Sequence, residues 1–164
     1  SALDIAGMIM SMMVGLGNAQ LFNPLMSSQG SLLGAFLSIA GVALLFVTNL
    51  HHLMLLGLLE SYHAFPVGQL LQAQSMAEMI GQVVASSFRI GIQMSIPLII
   101  IGTVMYIGMG VLARIMPQIQ VFMLALPLQI LIGFITLAVT AAAMLLFWLQ
   151  EFENGLVFFL EQSF

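Results

Sequence analysis

The side chains able to move a proton, hold a metal or meet an anion are few in this chain, and their spacing limits what they do. His51 and His52 are adjacent, so on a helix they diverge by about 100° and do not share one metal on one face. Glu60 and His63 have the Glu-x-x-His spacing of di-iron bundles, but such a centre needs a second pair and further glutamates from facing helices. No second pair occurs, so both read as polar residues near a helix end. Glu78 and Arg89 return to nearly the same helix face but stand about 16 Å apart along its axis, too far to pair. An ionisable residue at membrane depth is a functional candidate: Arg89 lines a wet path, meets a carboxylate on a neighbour, or sits outside the lipid on a helix too long to be wholly buried, and a structural, inter-subunit role is the one expected. No HExxH, GxSxG, P-loop or GxGxxG is present, so no enzyme, catalytic residue, metal or cofactor is expected.

The elements that carry these residues are membrane helices. Of 164 residues, 62% are hydrophobic and 5% charged, and the mean hydropathy is +1.17. Soluble domains carry about 25% charged residues. Arg89 and Arg114 are the only Lys or Arg, against six carboxylates, so no basic patch exists for phosphates and nucleic-acid binding is excluded. There is no cysteine, hence no disulfide framework, thiolate nucleophile or Cys-based metal site. SALDIAGMIM has neither an initiator Met nor the basic start and cleavage site of a signal peptide, so the chain is expected to be a fragment lacking its N-terminal part.

Four apolar stretches are expected to be helical: Ala2 to about Leu16, Ser31 to Phe65, Leu70 to Ile115 and Val121 to Phe164. The second ends at the FPVG stop signal. Helices of this length would reach roughly 50 to 65 Å, against a hydrocarbon core of about 30 Å. They must bend, tilt or leave the membrane, and Pro97 and Pro127 are the expected bends. Arg114, beside the MPQ turn, leans that turn towards the cytoplasm.

Small residues recur every fourth position at Gly7, Ser11 and Gly15, at Gly30, Gly34 and Ser38, and at Ser87, Gly91 and Ser95. Such stripes let helix backbones approach closely, either within the chain or against other subunits. The 14 methionines suit surfaces that seal around changing partners, and equally serve as core filler.

Three motifs in order resemble one family. MMVGLGNAQLFNP, Met12 to Pro24, is similar to its Q-x-G-L-x-x-A-x-x-x-[DN]-P element, and HLMLLGLLESYHAFPVG, His52 to Gly68, to its G-H-L…S-[FY]…L-P-x-G element. LARIMPQIQVFMLALPLQILIG, Leu112 to Gly133, resembles its L-x-R-x-x-P-Q-x-[NSQ]-[VI]-F…[GA]-[FL]-P element and is the most specific of the three. The family is the FliR type of flagellar export-gate proteins, with its counterpart in virulence type III secretion. Met13 stands near the family's usual Gln, and His51 where a Gly commonly precedes the histidine.

The resemblance implies an all-α membrane protein of long kinked hairpins, a FliP-like part followed by a FliQ-like hairpin, in a helical multi-subunit export gate. Residues 1–68 would end the FliP-like part, and 69–164 would supply the FliQ-like hairpin, turning near 116–118. Such a gate forms the portal through which unfolded flagellar or secreted proteins leave the cytoplasm. In the family much of the assembled core lies above the plane of the bacterial inner membrane, within the flagellar basal body, which would answer the length problem. Implied partners are FliP-type and FliQ-type subunits, FlhB-type and FlhA-type export proteins, unfolded export substrates and membrane lipid. Arg89, Arg114, Pro117, Gln118, Phe122 and Pro127 would be inter-subunit or structural residues.

The first motif falls where the family has its pore plug, residues 15–24. Gly15 and Gly17 permit backbone geometries closed to other residues, and Pro24 stops the preceding helix from continuing. Leu21 and Phe22 would supply apolar bulk across a closed channel, while Asn18, Gln20 and Asn23 satisfy backbone groups in a wet pore. A plain turn between helices is the other reading of the same residues. At the level of function, the rival to an export gate is a small-molecule or ion transporter using Arg89, Glu78 and the histidines near the midplane.

Overall fold

A computed structural model describes residues 1–17, 31–64, 73–116 and 121–161, and these are all helix and helix ends. The helices are α1 (Ala2–Val14), α2 (Leu32–Val47), α3 (Leu50–Ala64), α4 (Ala73–Ile115) and α5 (Val121–Glu161). Two stretches, Ala77–Ile115 and Ala125–Val157, are long and apolar enough to cross a membrane, and the bent pair α2 and α3 would make a third if it forms one broken span.

The short helix α1 is the centre of the bundle, packed by α2, α4 and α5. At 13 residues it is about 20 Å long, too short to span a bilayer, and neighbouring helices cover one face of it. Ala2, Leu3, Ala6, Gly7, Met10, Ser11 and Val14 are buried, while Asp4, Met8 and Met12 face outward. That is one stripe at helical spacing, three and four residues apart. Leu33, Leu37, Met94, Leu98, Leu137, Met144 and Trp148 close around it.

Small residues set the approach of each neighbour. Gly7 lies directly on the backbone of Gly34, and Gly41 accepts Leu3 and the edge of Trp148, so α1 and α2 run antiparallel. A Cβ on Gly91 would stand 2.9 Å from Ile5 Cγ2, and one on Gly102 would stand 3.0 Å from Met13 Sδ, so α4 runs parallel to α1. Gly133 receives Val14, and Trp148 sits at the opposite end near Leu3, so α5 runs back antiparallel. Gly7, Gly34 and Gly91 therefore make close contacts within the chain. Hydroxyls hold the same seams: Ser31 Oγ donates to the Gly7 carbonyl at 2.8 Å and Ser38 Oγ to Asp4 Oδ1 at 2.9 Å. Ser95 Oγ, fully buried, donates to the Gly91 carbonyl at 2.8 Å and also reaches that of Ala6 at 3.3 Å.

The second apolar stretch is not one helix, as the sequence suggested, but two meeting at 87°. Thr48 and Asn49 make this elbow. The Thr48 hydroxyl donates to the Leu44 carbonyl at 2.8 Å, and Asn49 adopts φ 60, a left-handed conformation that Asn tolerates better than most residues. Pro97 and Pro127, by contrast, lie inside helices that continue through them. Asn49→Gly should leave the elbow intact, whereas Asn49→Val should cost about 1–2 kcal/mol. Thermal unfolding of the two purified variants in detergent checks this difference.

Beyond the bundle, α3 and the first turns of α4 expose Met54, Leu55, Leu58, Leu59, Ile80, Val84 and Phe88. The chain presents 11382 Å² of surface, against about 8,000 Å² for a compact soluble protein of its 17.7 kDa. So many large apolar side chains on so extended a surface require lipid or other protein against them.

Candidate functional site

The candidate site begins where α1 stops. Gly15 takes φ 89, its N–H bonds the Met12 carbonyl at 3.2 Å, and the helix ends in the left-handed cap that glycine favours. A helix end leaves its last carbonyls without partners inside the helix. One is satisfied from another helix: Gln129 on α5, 2% exposed, donates from Nε2 to the Met13 carbonyl at 2.7 Å. The same amide lies along Gly15, where a Cβ would come 3.3 Å from Gln129 Cδ. Gln129 Oε1 is buried and has no hydrogen-bond partner among the described residues. A small cavity bounded by Met13, Leu98, Gly102, Gln129 and Thr136 adjoins it.

Of the residues proposed to plug a pore, Gly15 and Gly17 fall in the described part, at this helix end. Asn18, Leu21, Phe22, Asn23 and Pro24 lie outside the described residues, as do Pro117 and Gln118 and the side chain of Phe122. Pro127 is exposed near the start of α5, two residues before Gln129. Arg114 is exposed in the last turn of α4, where a cation favours the negative end of the helix dipole.

Arg89 is exposed on α4 beside a shallow, apolar groove that includes Val84, Phe88 and Ile92. Among the described residues it makes no ion pair, and Glu78 is exposed on the same helix. His51 is half-buried between Phe46 and His52, with ring centroids 5.1 and 4.1 Å away. Glu60 is half-buried, and the side chain of His63 is outside the described residues. No group of three His, Asp or Glu side chains converges among the described residues. Hydrogen bonds from Ser1 and Ser38 hold the Asp4 carboxyl below the usual carboxylate range.

Sequence reasoning missed Gln129 and Asn49. Each had a signal: Gln129 is a lone amide in the apolar run LALPLQILIG, and TN is a polar pair inside the charge-free stretch before HH. Neither signal says which helix the residue would meet.

The family model described as bacterial export proteins, family 1, matches residues 1–155. The flagellar biosynthetic protein FliR of Caulobacter vibrioides is 33% identical over 159 residues, covering 97% of this chain and 63% of that protein. FliR of Aquifex aeolicus is 32% identical over 153 residues, 93% of this chain and 59% of its own length. The secretion system apparatus protein SsaT of Salmonella typhimurium is 26% identical over 158 residues, 96% and 61% of the two chains. The chain thus spans about three-fifths of the length of these relatives. The FliR-type resemblance read from three motifs holds along the whole bundle, and the chain belongs to the bacterial export proteins, family 1.

Proposed function

We propose that this chain is a non-enzymatic, FliR-type subunit of a type III protein export gate in the bacterial inner membrane, flagellar in preference to virulence-associated. The observation that carries the reading is the family match over residues 1–155, with flagellar FliR proteins at 33% and 32% identity. Residues 1–68 form the end of a FliP-like part and 69–164 a FliQ-like hairpin turning near 116–118. Residues 15–24 plug the pore through which unfolded substrates pass, with Leu21 and Phe22 as its bulk. FlhB-type and FlhA-type proteins act at the same gate.

Two physical features support this assignment. A total surface larger than that of a compact soluble protein of this mass, carrying many large apolar side chains, suits a subunit covered by like helices as well as lipid. The break at Gly15 is held by protein on several sides, the setting in which non-helical backbone at membrane depth is tolerated. Arg89 and Glu78 are exposed on α4 rather than gathered at a midplane site, so nothing favours the transporter reading.

Affinity purification of the full-length protein from detergent-solubilised membranes tests the proposal. A gate subunit brings FliP-type and FliQ-type chains with it in one complex. Recovery alone, or as a homo-oligomer that binds a small solute, would reject the assignment.

A further inference from the structure

We infer that Gln129 is the positioning residue for the end of α1: it holds the last turn at Met13 and Gly15, and so the point from which the proposed plug segment departs. The inference deepens the gate reading and rests on it for its functional meaning, though the anchoring itself stands on geometry. A helix end normally frays, because its last carbonyls lack partners within the helix. Here the Met13 carbonyl is held at 2.7 Å by an amide from a helix 116 residues away in sequence. At 2% exposure, bulk solvent scarcely reaches the Gln129 side chain.

The neighbouring residues are fixed by packing. Val14 fills the place left by Gly133, Met13 the place left by Gly102, and Gly15 lies against the Gln129 amide. Residues 13 to 15 are therefore clamped to α4 and α5. Gln129 Oε1 is buried without a hydrogen-bond partner among the described residues. An apolar residue of the same shape would bury no orphan acceptor at this position, so a side chain chosen for packing would not be an amide. What the amide supplies is a donor aimed at one carbonyl.

The test uses the full-length protein in its native membrane with Leu16→Cys as its only cysteine, and follows the rate of maleimide labelling. Leu16 is half-buried against the core, so its labelling reports release of the helix end. Gln129→Met keeps length and volume but removes the donor. It should raise the labelling rate roughly tenfold while leaving protein level unchanged. Gln129→His retains a neutral ring N–H donor in a side chain of similar volume and should return the rate part of the way towards that of the parent. A control cysteine at Ser87, on the far part of α4, should label equally in all three.

An unchanged rate at Leu16→Cys in Gln129→Met overturns the inference. So does an equal rise at Ser87→Cys, or failure of both Gln129→Met and Gln129→Leu to accumulate, since either would mean a general structural role. Ion leak measured in parallel separates the two claims. Faster labelling without leak retains the anchor and rejects the plug; no change in labelling rejects the anchor whatever the leak.

Discussion

Gly7→Ala should abolish stable accumulation of this protein, whereas Gly34→Ala, across the same contact, should be nearly neutral. The asymmetry follows from what each new methyl group would meet. A Cβ on Gly7 would land on the Cα and N of Gly34 and within 2.9 Å of the Leu33 carbonyl carbon, all backbone atoms of α2. Backbone cannot rotate aside, so α1 and α2 must separate. The separation breaks the Ser31 bond to the Gly7 carbonyl and exposes Leu33 and Leu37.

Overpacking a core commonly costs about 1–3 kcal/mol, and a backbone-on-backbone clash belongs at or above the top of that range. A Cβ on Gly34, by contrast, would meet Ser31 Cβ at 3.4 Å and the Asp4 carbonyl oxygen at 3.6 Å, ordinary contact distances. Replacing glycine by alanine inside a helix gains about 1 kcal/mol of propensity, which offsets any small adjustment. Steady-state level and protease resistance in isolated membranes check both variants. Equal tolerance of the two would mean that α1 and α2 do not cross at this pair.

That crossing also shows how far the sequence was legible. Gly7, Gly34 and Gly91 belong to stripes of small residues visible by spacing alone, and each marks a real backbone approach. The spacing left open whether the partner was in this chain or another, because fourfold periodicity describes a helix face and not what lies against it. α1 illustrates the same limit. Nearly every residue in it is apolar, so composition alone does not distinguish its buried face from its exposed Met8 and Met12. The elbow at Thr48 and Asn49 escaped because no Pro or Gly marks it, and a left-handed Asn leaves only a faint trace in the sequence.

Pro97 and Pro127, the expected bends, both sit within continuous helices. A proline removes one backbone donor, and a long packed helix can absorb that loss. The end of α1 was legible as a break from its glycines. That a buried amide from α5 holds it was not, because Met13 and Gln129 meet only after the chain has folded back through α4.

The second large effect concerns the gate itself. Residues 15–24 carry two glycines, three amide side chains, Leu21 and Phe22, and start from a helix end that α4 and α5 hold in place. If this segment plugs the pore, removing its bulk leaves a water-filled path where an apolar constriction had excluded ions. The bundle should survive the loss, since Ala2 to Val14 keep their contacts with α2, α4 and α5.

Ion flux through membranes containing the assembled gate, compared between the parent chain and a deletion of Leu16 to Asn23, therefore tests the account most directly. The account predicts that the deletion variant assembles at parental levels and leaks ions or small solutes several-fold faster than the parent. Membranes that hold the assembled deletion variant and stay as tight as the parent's would contradict it.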